Sequence, residues 1–126
     1  MIRKKFAAAA LVALTVLAFA GVTASSAQAH GKMVASEPKA GAELQAGPRQ
    51  IRLRFNEALE RAFSKIALVD ASEVAIALPG ITVDKNDPKV MIAEVPALKA
   101  GQYRVRWSVM TRDGHKTGGE FDFKVK

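Results

Sequence analysis

Three stretches of this chain alternate apolar and polar residues with period two, and that period limits what they can fold into. "IRLRF" sends Ile51, Leu53 and Phe55 one way and Arg52 and Arg54 the other. "YRVRWSV" sets Tyr103, Val105, Trp107 and Val109 against Arg104, Arg106 and Ser108, and "EFDFKVK" repeats the pattern with Phe121, Phe123 and Val125. Successive side chains of a strand point to opposite faces, so each stretch predicts a half-buried strand. "SKIALVD" (64–70), "EVAIAL" (73–78) and "KVMIAEV" (89–95) are β-rich and too short for typical helices; an opening strand over Lys32 to Ser36 brings the count to seven. Turn signals separate them at Asp70-Ala71-Ser72, Pro79-Gly80, Asn86-Asp87-Pro88 and Lys99-Ala100-Gly101. The predicted fold class is all-β, a seven-stranded antiparallel immunoglobulin-like β-sandwich or Greek-key barrel. "LKAGQYRV" adds the pattern of a tyrosine corner, in which the Tyr103 hydroxyl bonds back to nearby backbone. "NEALERAF" (56–63) reads as a connection with one helical turn, and its Glu57 and Glu60 as surface charge.

Upstream, Arg3, Lys4 and Lys5 precede a run from Phe6 to Val22 whose only polar side chain is Thr15, and Ala27-Gln28-Ala29 fits the small-x-small pattern of signal-peptidase cleavage. The expectation is a signal peptide over 1–29, a single domain over 30–126, and His30 as the first residue of the exported, periplasmic protein. The competing reading is a permanent anchor, but a spanning helix wants ~20 apolar residues with no cleavage pattern at its end. Removing residues 1–29 from the 126 leaves 97, enough for one core. The formal charge of +7 then drops to +4, from 16 Lys plus Arg and 12 Asp plus Glu. Those charges are interspersed along strands. A nucleic-acid surface would cluster them and interleave aromatics, so nucleic acid is not an expected partner. With no cysteine, the chain has no disulfide framework, thiolate metal site or thiol nucleophile.

Enzyme motifs are absent: there is no Gly-x-Ser-x-Gly, no phosphate-cradling Gly-rich loop and no His-Glu-x-x-His. What remains is a pair of histidines. His115 sits in "TRDGHKTGG" with Asp113 two residues before it and Gly114 between. In an extended segment positions i and i+2 face the same way; in a turn, Gly114 relaxes the backbone demands. Taken alone, Asp-x-His also suits a turn-capping carboxylate beside an exposed ring. The processed terminus changes the weighing. A first-position histidine offers its α-amine and imidazole Nδ1, which close a six-membered chelate on one ion. With the Asp113 carboxylate and the His115 imidazole they make three nitrogens and one oxygen, the tetragonal set that Cu(II) favours, with nickel the nearest competitor and zinc preferring a tetrahedron. The donors meet if the opening strand starts at the same end of the sandwich as the "TRDGHKTGG" loop.

At these residues the chain resembles the CopC family of periplasmic copper-binding proteins. The resemblance covers the mature chain. It rests on a terminal histidine after the signal peptide, "SEPKAGAEL", "IRLRFNEAL" and "LKAGQYRVRWSVMTRDGHKTGGEFDFKV". It implies a small β-sandwich that binds one Cu(II) per chain through His30, by amine and side chain, together with Asp113 and His115. The implied function is non-enzymatic: a copper carrier or buffer in copper homeostasis or resistance. The implied partners are the copper ion and a copper-transporting membrane protein or another periplasmic copper protein, with the chain itself a monomer. Some family members also bind Cu(I) through a methionine-rich segment. Here Met33, Met91 and Met110 are widely spaced, and the resemblance is to the subclass with a Cu(II) site only. Two other functions compete. A terminal-histidine copper oxidase or monooxygenase needs an open coordination position, which an Asp113 bond would take. A metal-free immunoglobulin-like interaction module would tolerate loss of His30, Asp113 and His115 together.

Overall fold

The computed structural model describes residues 31–126. The expected signal peptide and His30 lie outside the described residues. Strands β1 (Met33–Glu37), β3 (Gln50–Phe55), β6 (Gly80–Val83) and β7 (Val90–Glu94) form a four-stranded sheet in the order β1-β3-β7-β6. Strands β2 (Glu43–Leu44), β4 (Lys65–Asp70), β5 (Ala75–Ile76), β8 (Gly101–Met110) and β9 (Lys116–Val125) form a five-stranded sheet in the order β2-β9-β8-β4-β5. The predicted all-β sandwich is therefore present, and the three alternating stretches are β3, β8 and β9.

The alternation decides the core. Ile51, Leu53 and Phe55 of β3 face Val105, Val109, Phe121, Phe123 and Val125 of the opposite sheet, with Met91 and Ala93 from β7, and all are buried. Their neighbours in sequence form the wet face. Arg104 and Arg106 stand directly opposite Asp122 and Glu120 in the β8–β9 register and bond to them at 2.8 and 3.2 Å. Glu73 reaches both arginines. The tyrosine corner is present: the Tyr103 hydroxyl donates to the Lys99 carbonyl at 2.6 Å.

The strand count differs from the expected seven, because nine segments pair among the described residues. The turn expected at Pro79-Gly80 gives way to a strand, because Gly80 opens β6 and Ile81 and Val83 pack on the core. β2 has two residues, too few to show a period. It pairs with β9 in parallel rather than antiparallel, held by bonds such as Lys124 N–H to the Ala42 carbonyl at 2.8 Å. The expected strand over 73–78 shrinks to Ala75–Ile76, because Asp70 accepts the Ser72 and Val74 amides and prolongs the turn through Glu73 at φ +63°. The helical turn expected in 56–63 is a 3-10 turn at Arg61–Phe63.

Trp107, the single tryptophan, packs edge-on against Phe55 with ring centroids 5.0 Å apart. Its ring lies over Gly119, its register partner. A Cβ at 119 would stand 2.7 Å from Trp107 Cζ2, so the glycine is what admits the indole. Gly119→Ala is expected to displace the ring and cost about 1–3 kcal/mol, the usual range for overpacking. Urea unfolding and the emission of the lone tryptophan measure both effects.

Candidate metal centre

Residues 111–115 close the β8–β9 hairpin at one end of the sandwich. Thr111 N–H donates to the His115 carbonyl at 2.9 Å and Gly114 N–H to the Thr111 carbonyl at 2.9 Å. The second bond is the i to i+3 bond of a tight turn. Gly114 follows it at φ +92°, a left-handed residue closing a three-residue hairpin loop. Asp113 and His115 thus meet across a turn and not along an extended strand. His115 Nδ1 lies 3.0 Å from Asp113 Oδ1, and both side chains are about half exposed. A proton on Nδ1 donating to the carboxylate leaves Nε2 as the ring's lone-pair donor.

Thr111 supports this pair from below. Its side chain is buried, its hydroxyl donates to Asp113 Oδ1, and it accepts the His115 amide at 3.2 Å. The Thr111 hydroxyl first, and the His115 ring second, hold the Asp113 carboxyl down at about 2 against the opposing effect of desolvation. A depressed carboxylate stabilises the fold above its ordinary value of ~3.9. That contribution is lost as the pH falls towards about 2. Asp113 therefore ties the turn, as a capping aspartate does, and remains an anionic oxygen donor across the neutral and mildly acidic range.

A second carboxylate joins them. The connection after β3 is stitched to the hairpin tip: Arg112 N–H donates to the Ala58 carbonyl at 3.0 Å, Glu60 N–H to the Met110 carbonyl at 2.8 Å, and Leu59 bridges Thr111. This brings Glu57 to the turn. Donor atoms of Glu57, Asp113 and His115 all lie within 4.8 Å of one another, a spacing that lets three side chains share one cation. Glu57, read as surface charge in a connection, stands within this group, whereas Glu60 is not in the cluster. β1 runs antiparallel to β3 with Met33 opposite Phe55, so the end of β3 and the start of β1 share one end of the sandwich.

The opening of the described chain is fixed at the same corner. Gly31 is buried at φ +68°, and its carbonyl accepts the Thr117 hydroxyl at 2.7 Å. Lys32 and Asn56 exchange two bonds: Lys32 N–H to Asn56 Oδ1 and Asn56 N–H to the Lys32 carbonyl, each 2.9 Å. The first described residue thus lies against the hairpin that carries Asp113 and His115. His30 itself lies outside the described residues.

Fold and corner together define a small two-sheet sandwich with a nitrogen and oxygen donor cluster at the mouth of its central hairpin. The chain belongs to the CopC family, whose CopC domain matches residues 33–126. It is 35% identical over 119 residues to copper resistance protein C of Pseudomonas syringae pv. tomato, covering 90% of this chain and 94% of the relative. It is 34% identical over 115 residues to protein YobA of Escherichia coli strain K12, covering 90% and 92%. The crystal structure of CopC from Methylosinus trichosporium OB3b superposes with a TM-score of 0.73 at 29% identity, covering 77% of this chain and 94% of that one.

Replacing Thr111 by valine should raise the Asp113 pKa towards the ordinary carboxylate range, and His115→Ala should raise it by less. Titration of the Asp113 carboxyl carbon by NMR reads both, and an unmoved midpoint in Thr111→Val would contradict the assignment of cause.

Proposed function

We propose that this chain is a periplasmic Cu(II) carrier or buffer that serves copper homeostasis or resistance without catalysing a reaction. Residues 1–29 direct export and are removed, and residues 30–126 form the copper-binding domain. His30 supplies its α-amine and Nδ1, Asp113 an oxygen and His115 the remaining imidazole nitrogen, for one Cu(II) per chain. The observation that carries this reading is the convergence of Glu57, Asp113 and His115 at the corner where Gly31 is held. Gly31 itself packs against Thr117 and Thr111 of the hairpin that carries Asp113 and His115, which supports His30 as a further donor. Kinship with copper resistance protein C supports copper as the cargo.

Three nitrogens and one oxygen complete a tetragonal plane, the arrangement Cu(II) favours, and leave little equatorial room for a substrate. Binding and release follow from that closure better than turnover does. Glu57 adds negative charge beside Asp113 and His115. The wide spacing of the methionines in sequence supports a Cu(II)-only site, with Met91 fully buried and Met33 and Met110 each partly buried. The recipient is a copper-transporting membrane protein or another periplasmic copper protein.

An α-amine titrates at ~7.7–8.0 and an unperturbed imidazole at ~6.5, so copper displaces protons from both kinds of group. Apparent affinity should therefore fall as the pH drops from 8 to 6, while the already ionised Asp113 adds no dependence there. The exported protein should begin at His30 and take up one Cu(II), read by intact mass with and without an equivalent of metal. One extra residue before His30, or His115→Ala, should weaken binding roughly 100-fold or more, beyond the ~10–100-fold typical of supporting residues. Unchanged affinity in the extended protein would refute the terminal chelate.

A further inference from the structure

We propose that Gly31 and Thr117, with Asn56, form a clamp that holds the start of the described chain against the hairpin carrying Asp113 and His115, and that this clamp helps set the affinity and geometry of the copper site. The inference rests on the Cu(II) reading above and adds positioning residues that are not themselves ligands.

The first residues of a domain usually fray unless something ties them down. Here three hydrogen bonds act on two residues beyond the end of the β1–β3 ladder: Thr117 Oγ1 to the Gly31 carbonyl at 2.7 Å, and the two 2.9 Å bonds between Lys32 and Asn56. The fit is also steric. A Cβ at position 31 would stand 3.0 Å from Thr117 Oγ1, 3.2 Å from Thr117 Cγ2 and 3.3 Å from Thr111 Cγ2, at a φ of +68° that disfavours any side chain. Glycine is the residue that lets the backbone lie this close to the hairpin.

The wall against Gly31 is shared. Thr111 contributes its methyl to that wall, and its hydroxyl bonds Asp113. One buried threonine therefore touches both the clamp and the carboxylate, which ties the position of Gly31 to that of the turn. Ordering a flexible terminus costs conformational entropy at the moment of binding, and a terminus already held has lost that freedom during folding. Residues that orient ligands in this way typically change metal affinity by ~10–100-fold.

The test uses the processed protein and Cu(II). Thr117→Val keeps the side-chain shape and removes the hydroxyl; Thr117→Ser keeps the hydroxyl; Gly31→Ala fills the close approach. Thr117→Val and Gly31→Ala are expected to lower Cu(II) affinity at least about 10-fold and to alter the copper EPR spectrum, with Thr117→Ser restoring both. In metal-free protein, exchange of the Lys32 amide should quicken in Thr117→Val while global unfolding changes little. Wild-type affinity and spectrum in Thr117→Val would overturn the clamp and leave the Cu(II) reading intact. Failure of the unaltered protein to bind Cu(II) would sink that reading, and the clamp's role with it.

Discussion

The continuous antiparallel pairing of β8 with β9, from Gly101 opposite Val125 to Met110 opposite Lys116, is the constraint that organises this protein. Its inner face supplies Tyr103, Val105, Val109, Phe121, Phe123 and Val125 to the core. Its outer face aligns the Arg104 and Arg106 pairs with Asp122 and Glu120. Its closed end makes the turn that holds Asp113 against His115. A slip of one residue would exchange the two faces and separate the turn from the connection that brings Glu57. Core, charge arrangement and candidate centre thus share one register.

The donor cluster is built from two stretches distant in sequence that meet because β3 and β8 end at one corner, where the described chain also begins. The link between them is backbone: the segment 56–60 runs beside the hairpin tip through bonds from Arg112 and Glu60, and the Asn56 amide joins it to Lys32. Exposed ion pairs contribute little to stability, generally under about 1 kcal/mol. The pairs along β8 and β9 therefore serve mainly to place compatible charges opposite one another.

Much of this was legible in the order of residues. Where a strand is long and one of its faces is buried, period two reports it, as in β3, β8 and β9. Tyr103 announced its corner through the Leu-x-x-Gly-x-Tyr spacing, and the Asp-x-His pair was visible as a candidate with Gly114 marking a turn. What escaped had weak or non-local signals. Two residues cannot show alternation, so β2 and its parallel pairing were silent, and Gly80 read as punctuation although Ile81 and Val83 carried the strand signal. Glu57 looked like any charged residue in a connection, because its significance depends on two strand ends coinciding in space. Gly31 and Thr117 are 86 residues apart, and nothing local in either announces their contact.

The five-stranded sheet ends on both sides in two-residue strands, β2 and β5. On the other sheet, the outer strand β1 is broken by a register shift between Met33 and Ala35. A long flat border would offer an open row of amides and carbonyls on which another chain could add itself. Stunted or irregular borders offer few such rungs, so this architecture gains resistance to sheet extension and aggregation from the segments that contribute least to its interior.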